Sequence, residues 1–188
     1  MESGRKLRAA GEILRLGGVD YRLESVEGRG GSAVVYRAVY EDELNRGCFH
    51  RVLVKELFPY DPRGMIYRGE AGEICCRPGA EERMEVCRRL FLQGNQVNLE
   101  LLARLPEEIS GNLNSYEAYG TFYSVLSVHG GRTLEEMLEE GGPHGLREAA
   151  EWMMWILDGL ECFHRHRALH LDISPDNILM LKNRALLI

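Results

Sequence analysis

The chain has 188 residues, of which 45% are hydrophobic and 28% are charged. This length and composition predict one globular domain, or one domain with two lobes, and argue against a disordered, collagen-like or coiled-coil chain. The 29 acidic residues outnumber the 23 basic ones, and the net charge of −6 argues against non-specific nucleic-acid binding because phosphates would repel the chain.

The sequence shows no signal of a membrane or secreted protein. No apolar run approaches the ~18 residues that a membrane-spanning helix needs, and the charged N-terminal stretch has no signal-peptide core, so no membrane segment is expected. The five cysteines form no Cys-x-x-Cys pair, so neither a disulfide framework nor a zinc site is predicted. Free thiols are typical of a reducing compartment, and the expected location is cytoplasmic.

The first part of the chain favours β-structure. Residues 1–20 are interpreted as an N-terminal extension that contains one short helical or strand segment. Runs rich in β-branched and aromatic residues then predict strands at 21–26, 33–40 and 51–58. A glycine-rich link at 27–32 separates the first two of these strands.

The middle of the chain is more varied. Residues 59–80 are rich in proline and glycine and are interpreted as an irregular insertion. A helix is predicted over 81–105, and Pro106 follows its end. The apolar residues that recur there at helical spacing are Leu90, Val97, Leu101 and Leu105. Two further strands are predicted at 114–119 and 121–128.

The last part of the chain is predicted to be mostly helical. Gly130-Gly131 marks the change in composition, and helices are predicted at 134–140 and 146–166. A β-hairpin is predicted at 178–188. A sheet-rich half followed by a helix-rich half predicts two lobes that join near 127–130.

Two stretches of the predicted sheet can carry phosphate chemistry. Gly28, Gly30 and Gly31 would let backbone amides approach phosphate oxygens without a side chain in the way, although a glycine-rich link alone is usually only a turn. Lys55 lies among apolar strand residues, where an ammonium is costly to bury without a partner. Alone, it would be interpreted as a solvent-facing lysine of an edge strand.

A third stretch is the loop that begins at His170, with the pattern His-x-Asp-x-x-x-x-Asn-x-Leu. Asp172 could accept a proton from a hydroxyl, and Asn177 could hold a divalent cation through its side-chain oxygen. This pattern directly before a short apolar strand rarely arises by chance, so it is the most specific of the three.

In this order the three stretches resemble the signature of the eukaryotic-like protein kinases, and most closely the bacterial-type Ser/Thr kinases. The resemblance covers about residues 20–188. It implies an α+β, two-lobed protein-kinase-like fold, with an antiparallel β-sheet N-lobe at 21–126, a hinge at 127–130 and a partial helical C-lobe at 131–188. The implied cofactors are ATP and Mg2+, and the implied partner is a protein substrate with a Ser or Thr hydroxyl. No nucleic-acid partner is implied, and the oligomeric state stays open.

The resemblance also implies roles for residues of this chain. Those that would bind ATP are Gly28, Gly30, Gly31, Val35, Lys55, Ser127, Val128, His129 and Leu179. The glycines would cover the phosphates, Lys55 would bind the α- and β-phosphates, and Val35 and Leu179 would enclose the adenine. Asp172 would orient the attacking hydroxyl and take its proton, and Asn177 would ligate Mg2+.

The chain departs from the family pattern in several respects, of which the smaller are Ala33 in place of the third glycine and Ser174 in place of a lysine of the catalytic loop. It stops at the strand that precedes the family's Asp-Phe-Gly, so a kinase domain truncated at that point is expected. Gly94 takes the helix position of the family's glutamate, on the same face as Leu90 and Val97. Lys55 is therefore expected to lack its usual ion pair or to use another carboxylate, such as one from the insertion. Leu171 replaces the arginine before the catalytic aspartate, so switching by phosphorylation is not predicted.

These features leave three hypotheses open. The first is an ATP-dependent Ser/Thr protein kinase domain, expected to be inactive or incomplete as this chain. The second is a pseudokinase, or a module that binds nucleotide or a partner without turnover, which the missing aspartate and Gly94 favour. The third is a small-molecule kinase of the aminoglycoside or choline type, although the glycine-rich link and the hinge strand are more typical of protein kinases.

Overall fold

The computed structural model describes residues 5–103 and 111–188. The chain forms two compact units. The first consists of Met1–Gln96 and Asn112–Val128, and the second of Val97–Gly111 and His129–Ile188. The first unit is rich in β-strands, while the second is mainly helical.

The strands of the first unit are β1 (Ile13–Leu16), β2 (Val19–Arg29), β3 (Ala33–Glu41), β4 (Phe49–Leu57), β5 (Ile66–Arg68), β6 (Ile74–Cys76), β7 (Asn112–Ala118) and β8 (Thr121–Ser127). Six of them form one antiparallel sheet in the order β1-β2-β3-β4-β8-β7, and β5 pairs with β6. The strands predicted from the β-favouring runs are therefore present.

The β7–β8 hairpin shows why its turn contains glycine. Tyr119 and Gly120 have φ values of 47° and 67°, as a two-residue turn that matches the strand twist requires. A Cβ atom on Gly120 would lie 2.7 Å from the carbonyl oxygen of Ile74. The turn thus packs directly against β6, and only glycine fits there.

One face of the six-stranded sheet carries the core of the first unit. This core includes Leu14, Leu16, Val34, Tyr36, Val54, Phe58, Ile66, Ile74 and Tyr123. The interpretation of residues 59–80 as irregular is wrong, because they contain the β5–β6 hairpin and bury two isoleucines in this core. The N-terminal stretch also packs there, since β1 pairs with β2 as the edge strand of the sheet.

Helix α1 (Glu81–Leu102) differs from its prediction. Apolar residues at helical spacing are typical of a buried face, but Leu90 is 59% exposed. Gly94 is also exposed, and a Cβ atom added to it would meet no other atom within 4 Å. Among the residues of the helix only Leu101 is buried.

Polar contacts explain this difference. Arg88 of α1 pairs with Glu117 of β7, and its guanidinium lies over the ring of Phe122 in β8. The helix is therefore attached through charged side chains and through Met84, which packs against the core, rather than through the predicted apolar stripe. Leu105 and Pro106 lie outside the described residues.

The second unit contains β9 (Arg132–Thr133), α2 (Leu134–Gly141), α3 (Leu146–Arg165), a 3-10 turn (Pro175–Asn177), β10 (Ile178–Met180) and β11 (Ala185–Leu187). Strands β11, β10 and β9 form a small antiparallel sheet. Thr133 and Glu136 form a reciprocal capping box at the start of α2. The buried core residues are Leu101, Trp152, Ile156, Phe163, Ile178, Met180, Ala185 and Leu187. The predicted helices and the predicted hairpin are present.

Candidate functional site

The sheet aligns three of the predicted nucleotide-binding residues in one row. Gly28 pairs with Val35, Val35 pairs with Lys55, and Lys55 pairs with Ser124. Residues that face each other on antiparallel strands project from the same side of a sheet. The row therefore lies on the face opposite the core residues Val34 and Val54, and Val35 and Lys55 are half-buried there.

The glycine-rich link is shorter than its sequence suggested. Strand β2 continues through Gly28 to Arg29, so only residues 30–32 form the turn. The turn is anchored by two backbone hydrogen bonds. Tyr60 N–H donates to Gly31 O at 2.8 Å, and Phe58 N–H donates to Ser32 O at 3.1 Å. Gly31 is exposed and would have no atom within 4 Å of a Cβ, so the open side of the turn can receive a bulky anion.

The predicted hinge residues lie at the end of β8 and directly after it. Ser127 is the last residue of β8 and pairs with Val52 of β4. Val128 is the last residue of the first unit, and His129 begins the longer segment of the second. Burial, together with the positive charge of Arg184, lowers the pKa of His129 below its usual value, which favours the neutral imidazole.

In the second unit, the loop before β10 joins the predicted catalytic residue Asp172 to the predicted metal ligand Asn177. The side-chain Nδ2 of Asn177 donates a hydrogen bond to the backbone carbonyl of Asp172 at 3.1 Å. This leaves Oδ1 of Asn177 as the atom that could ligate a cation. Leu171 has a φ of 65°, a left-handed conformation that is uncommon for a non-glycine residue and reverses the chain just before Asp172.

The remaining residues of this loop support its shape. His170 packs edge-on against Phe163, with ring centroids 5.4 Å apart, and burial lowers its pKa although the nearby Asp172 acts in the opposite direction. Leu179 pairs with Thr133 of β9 and lies between the buried residues Ile178 and Met180. Its side chain is therefore half-buried on the other face of β10.

The described residues also contain a cluster that sequence reasoning missed. The carboxylate of Glu56, the residue after Lys55, is fully buried on the core face of β4. It forms ion pairs with Arg68 at 2.5 Å and Arg8 at 3.3 Å, and it accepts a hydrogen bond from Tyr123 at 2.7 Å. Burial alone would raise the pKa of Glu56, but hydrogen bonds and positive charge hold it below its usual value.

A sequence signal for this cluster existed in the strand alternation. Val52 and Val54 are buried, and Glu56 follows at the same spacing of two residues. Period two therefore places a carboxylate in the core, where it needs a cationic partner. The position of those partners, Arg8 and Arg68, could not be read from the alternation.

Each unit thus holds its own part of the predicted site. The glycine turn, Val35 and Lys55 share one face of the first unit's sheet, while Asp172 and Asn177 share one loop of the second. Among residues 5–103 and 111–188, no group of three or more His, Cys, Asp or Glu side chains is placed to hold a metal ion. In the same residues, none of the helices has the length and apolar character required to cross a membrane.

The curated proteins that are similar in sequence to this chain include several serine/threonine-protein kinases. No family model matches the chain. A probable serine/threonine-protein kinase of Streptomyces coelicolor is 29% identical over 172 residues, which cover 92% of this chain and 22% of the relative. The probable serine/threonine-protein kinase PknB of Bifidobacterium longum is 26% identical over 165 residues, covering 88% of this chain and 21% of that protein.

A plant protein gives a similar result. A calcium and calcium/calmodulin-dependent serine/threonine-protein kinase of Lilium longiflorum is 28% identical over 171 residues, covering 86% of this chain and 32% of the relative. The chain therefore spans about a fifth to a third of the length of these curated relatives.

The fold gives a further match. The apo form of PpkA-294 superimposes with a TM-score of 0.71 at 22% identity, over 97% of this chain and 60% of that one. This likeness confirms the predicted kinase-like fold with a β-sheet N-lobe. In both sequence and fold, the chain resembles the bacterial-type Ser/Thr protein kinase domain.

Proposed function

We propose that this chain binds ATP with a divalent metal ion and belongs to an enzyme that transfers the γ-phosphate to a Ser or Thr hydroxyl of a protein. Similarity to kinases implies ATP and a divalent metal as general requirements. The observation that carries the proposal is the row of Gly28, Val35 and Lys55 across β2, β3 and β4. It combines a glycine without a side chain, an apolar surface and an ammonium on one face, which suits a triphosphate attached to a flat base.

Each residue of the row would contact a different part of the nucleotide. Lys55 would pair with the α- and β-phosphates, the glycine turn would cover them, and Val35 would contact the adenine. Such an arrangement works by positioning and charge neutralisation, since phosphoryl transfer needs little covalent chemistry from the protein. The hinge backbone from Ser127 to His129 would bind the adenine edge.

The loop of the second unit would act on the hydroxyl. Asp172 would orient the hydroxyl and accept its proton as the new oxygen–phosphorus bond forms and the bond from the γ-phosphorus to the bridging oxygen breaks. Asn177, with its Nδ2 bound to the carbonyl of Asp172, would offer Oδ1 to Mg2+. The metal would neutralise charge on the phosphates.

A second candidate function is nucleotide binding without turnover. The observation in its favour is Gly94, which stands where the family pattern has a glutamate and which leaves that position of α1 without a side chain. In this case Lys55 and the glycine turn would still bind ATP, while transfer would be absent.

The test has a binding arm and a transfer arm. In the binding arm, ATP with Mg2+ should raise the melting temperature of the chain, because a ligand that binds only the folded state stabilises it. Lys55→Met should abolish this rise, and Lys182→Met, which removes a cation outside the predicted site, should keep it. Equal stabilisation of Lys55→Met and the unsubstituted chain would contradict the proposal.

In the transfer arm, radiolabelled ATP is incubated with the chain and with a mixture of Ser- and Thr-containing peptides. Asp172→Asn should lower phosphate incorporation by about 10²-fold or more, the range expected for loss of a general base. Asp176→Asn is the matched control, since it removes a carboxylate from the same loop. Because the first hypothesis expects this chain to be incomplete, the assay is repeated on the chain extended through the family's Asp-Phe-Gly. Binding without any incorporation by that extended chain would favour the second candidate.

A further inference from the structure

The carboxylate of Glu56 receives five hydrogen bonds. Its Oε1 accepts from Arg8 Nε at 3.3 Å, from Arg68 Nη1 at 3.0 Å and from the Tyr123 hydroxyl at 2.7 Å. Its Oε2 accepts from Arg68 Nη2 at 2.5 Å and from the Tyr36 hydroxyl at 3.1 Å. Charge-assisted hydrogen bonds of this kind are short and strong, and here they saturate the acceptor capacity of the carboxylate.

The donors come from four separate parts of the first unit. Tyr36 belongs to β3, Tyr123 to β8 and Arg68 to the β5–β6 hairpin. Arg8 belongs to the N-terminal segment, defined here as residues 5–12. Arg8 Nη2 and Arg68 Nη1 also donate to Gly72 O, each at 2.9 Å, so the segment and the hairpin are tied to each other as well as to β4.

These contacts act on the strand that carries Lys55. Lys55 and Glu56 are consecutive in β4, so their side chains project from opposite faces. Strand β4 lies between β3 and β8, and Glu56 bonds to both neighbours at the level where Lys55 pairs with Val35 and Ser124. A change in the position of the Glu56 carboxylate should therefore shift or rotate the backbone of β4, which carries Lys55.

We propose that Glu56 is a positioning residue for Lys55, and that the N-terminal segment and the β5–β6 hairpin together hold β4 in the position that nucleotide binding requires. The proposal rests on the proposed function. In it, the buried carboxylate does not touch the nucleotide. It sets the place of the lysine through the strand, and Arg8 and Arg68 act as the anchors on the core side.

The test follows Lys55 directly by chemical labelling. The chain has three lysines, Lys6, Lys55 and Lys182, so an amine-reactive ester and mass spectrometry can measure each rate separately. Glu56→Gln keeps the side-chain size but replaces an acceptor oxygen with a donor that faces arginine and tyrosine donors. The Lys55 rate, relative to Lys182 in the other unit, should rise about threefold as the strand loosens.

Nucleotide affinity gives the second readout. Glu56→Gln should bind a fluorescent ATP analogue about tenfold more weakly, which corresponds to about 1.4 kcal/mol. Tyr123→Phe, which removes one donor and keeps the ring, should change both readouts in the same direction by a smaller factor. It also keeps the proposal testable if Glu56→Gln does not fold.

The matched control is Leu16→Ala, which opens a cavity in the same core but lies in the edge strand β1. It should lower the melting temperature while leaving the Lys55 to Lys182 ratio and the ATP affinity unchanged. If Glu56→Gln and Tyr123→Phe also lower only the melting temperature, Glu56 is a structural residue and the proposal is wrong. If the unsubstituted chain does not bind the analogue, the proposed function fails, and the labelling ratio alone decides whether Glu56 positions Lys55.

Discussion

The two units are built around different kinds of core. Among residues 5–103 and 111–188, every buried polar or charged side chain lies in the first unit, and these are Arg5, Arg8, Glu56, Asp61, Arg68, Asn112, Thr121 and Ser124. The buried core of the second unit is apolar throughout. A charged core depends on complete pairing, because removal of one partner leaves an uncompensated buried charge. An apolar core depends on volume and tolerates changes that conserve it.

The largest expected effect breaks the charged core. Arg68→Met should destabilise the first unit by about 3–5 kcal/mol, the usual cost of breaking a buried ion pair. Hydrogen exchange should show β4 amides about 10²-fold to 4 × 10³-fold less protected, since each 1.4 kcal/mol is a factor of ten. The amides of α3 should keep their protection.

The control for this prediction is an exposed ion pair of the same sheet. Arg37 pairs with Glu27, and both side chains are more than a third exposed. Arg37→Met should cost about 1 kcal/mol or less, because solvent screens exposed pairs. If Arg37→Met and Arg68→Met lowered the free energy of unfolding by similar amounts, burial of the Glu56 cluster would not contribute to stability.

A smaller effect is expected at the start of α2 in the second unit. Thr133→Ala removes the side-chain half of the capping box, in which the Thr133 hydroxyl accepts from Glu136 N–H at 3.2 Å. Loss of such a cap costs about 1 kcal/mol. Chemical denaturation followed by the fluorescence of Trp152 and Trp155 would measure it. Thr133→Ser retains a hydroxyl and should recover most of the loss.

The smallest expected effect is on the pH dependence of stability. As the pH falls, the two units should lose stability in a defined order. Burial lowers the pKa of His129 and His170 below the ordinary 6.5, so the folded second unit favours their neutral forms. That contribution is present above pH 6.5 and is lost as the pH falls through the folded pKa values.

The first unit should respond at lower pH. The pKa of Glu56 lies below the ordinary 4.5, so its contribution is present above pH 4.5 and disappears only as the pH falls through the lower folded value. Hydrogen exchange across a pH series, corrected for intrinsic rates, should show α3 losing protection before β4. The double variant His129→Gln, His170→Gln should remove the early loss in α3. Simultaneous loss in both units would contradict the difference between the cores.

Local patterns predicted much of the fold. The β-favouring runs located β2, β3, β4 and β8, but the strands extend beyond them because cross-strand hydrogen bonds continue the ladder. Gly28 shows this, since it lies within β2 although its residue type favours a turn. The loop of Asp172 and Asn177 was also recognisable, because its polar residues lie close together in the chain.

Long-range contacts were beyond such patterns. Arg8 and Glu56 are 48 positions apart, and nothing near either residue specifies the other. The β5–β6 hairpin was hidden by its glycines and by strands of only three residues each. In α1, the apolar residues at helical spacing are mostly exposed, whereas Met84 and the ion pairs of Arg83 and Arg88, which carry no periodic signal, attach the helix.

The two backbone hydrogen bonds that join residues 31 and 32 to Tyr60 and Phe58 have a kinetic consequence. A loop without such bonds can move within nanoseconds. The turn at residues 30–32 must first break both hydrogen bonds, which is a local unfolding event on a slower timescale. Movement of this turn away from residues 58–60 would then be timed by that rupture.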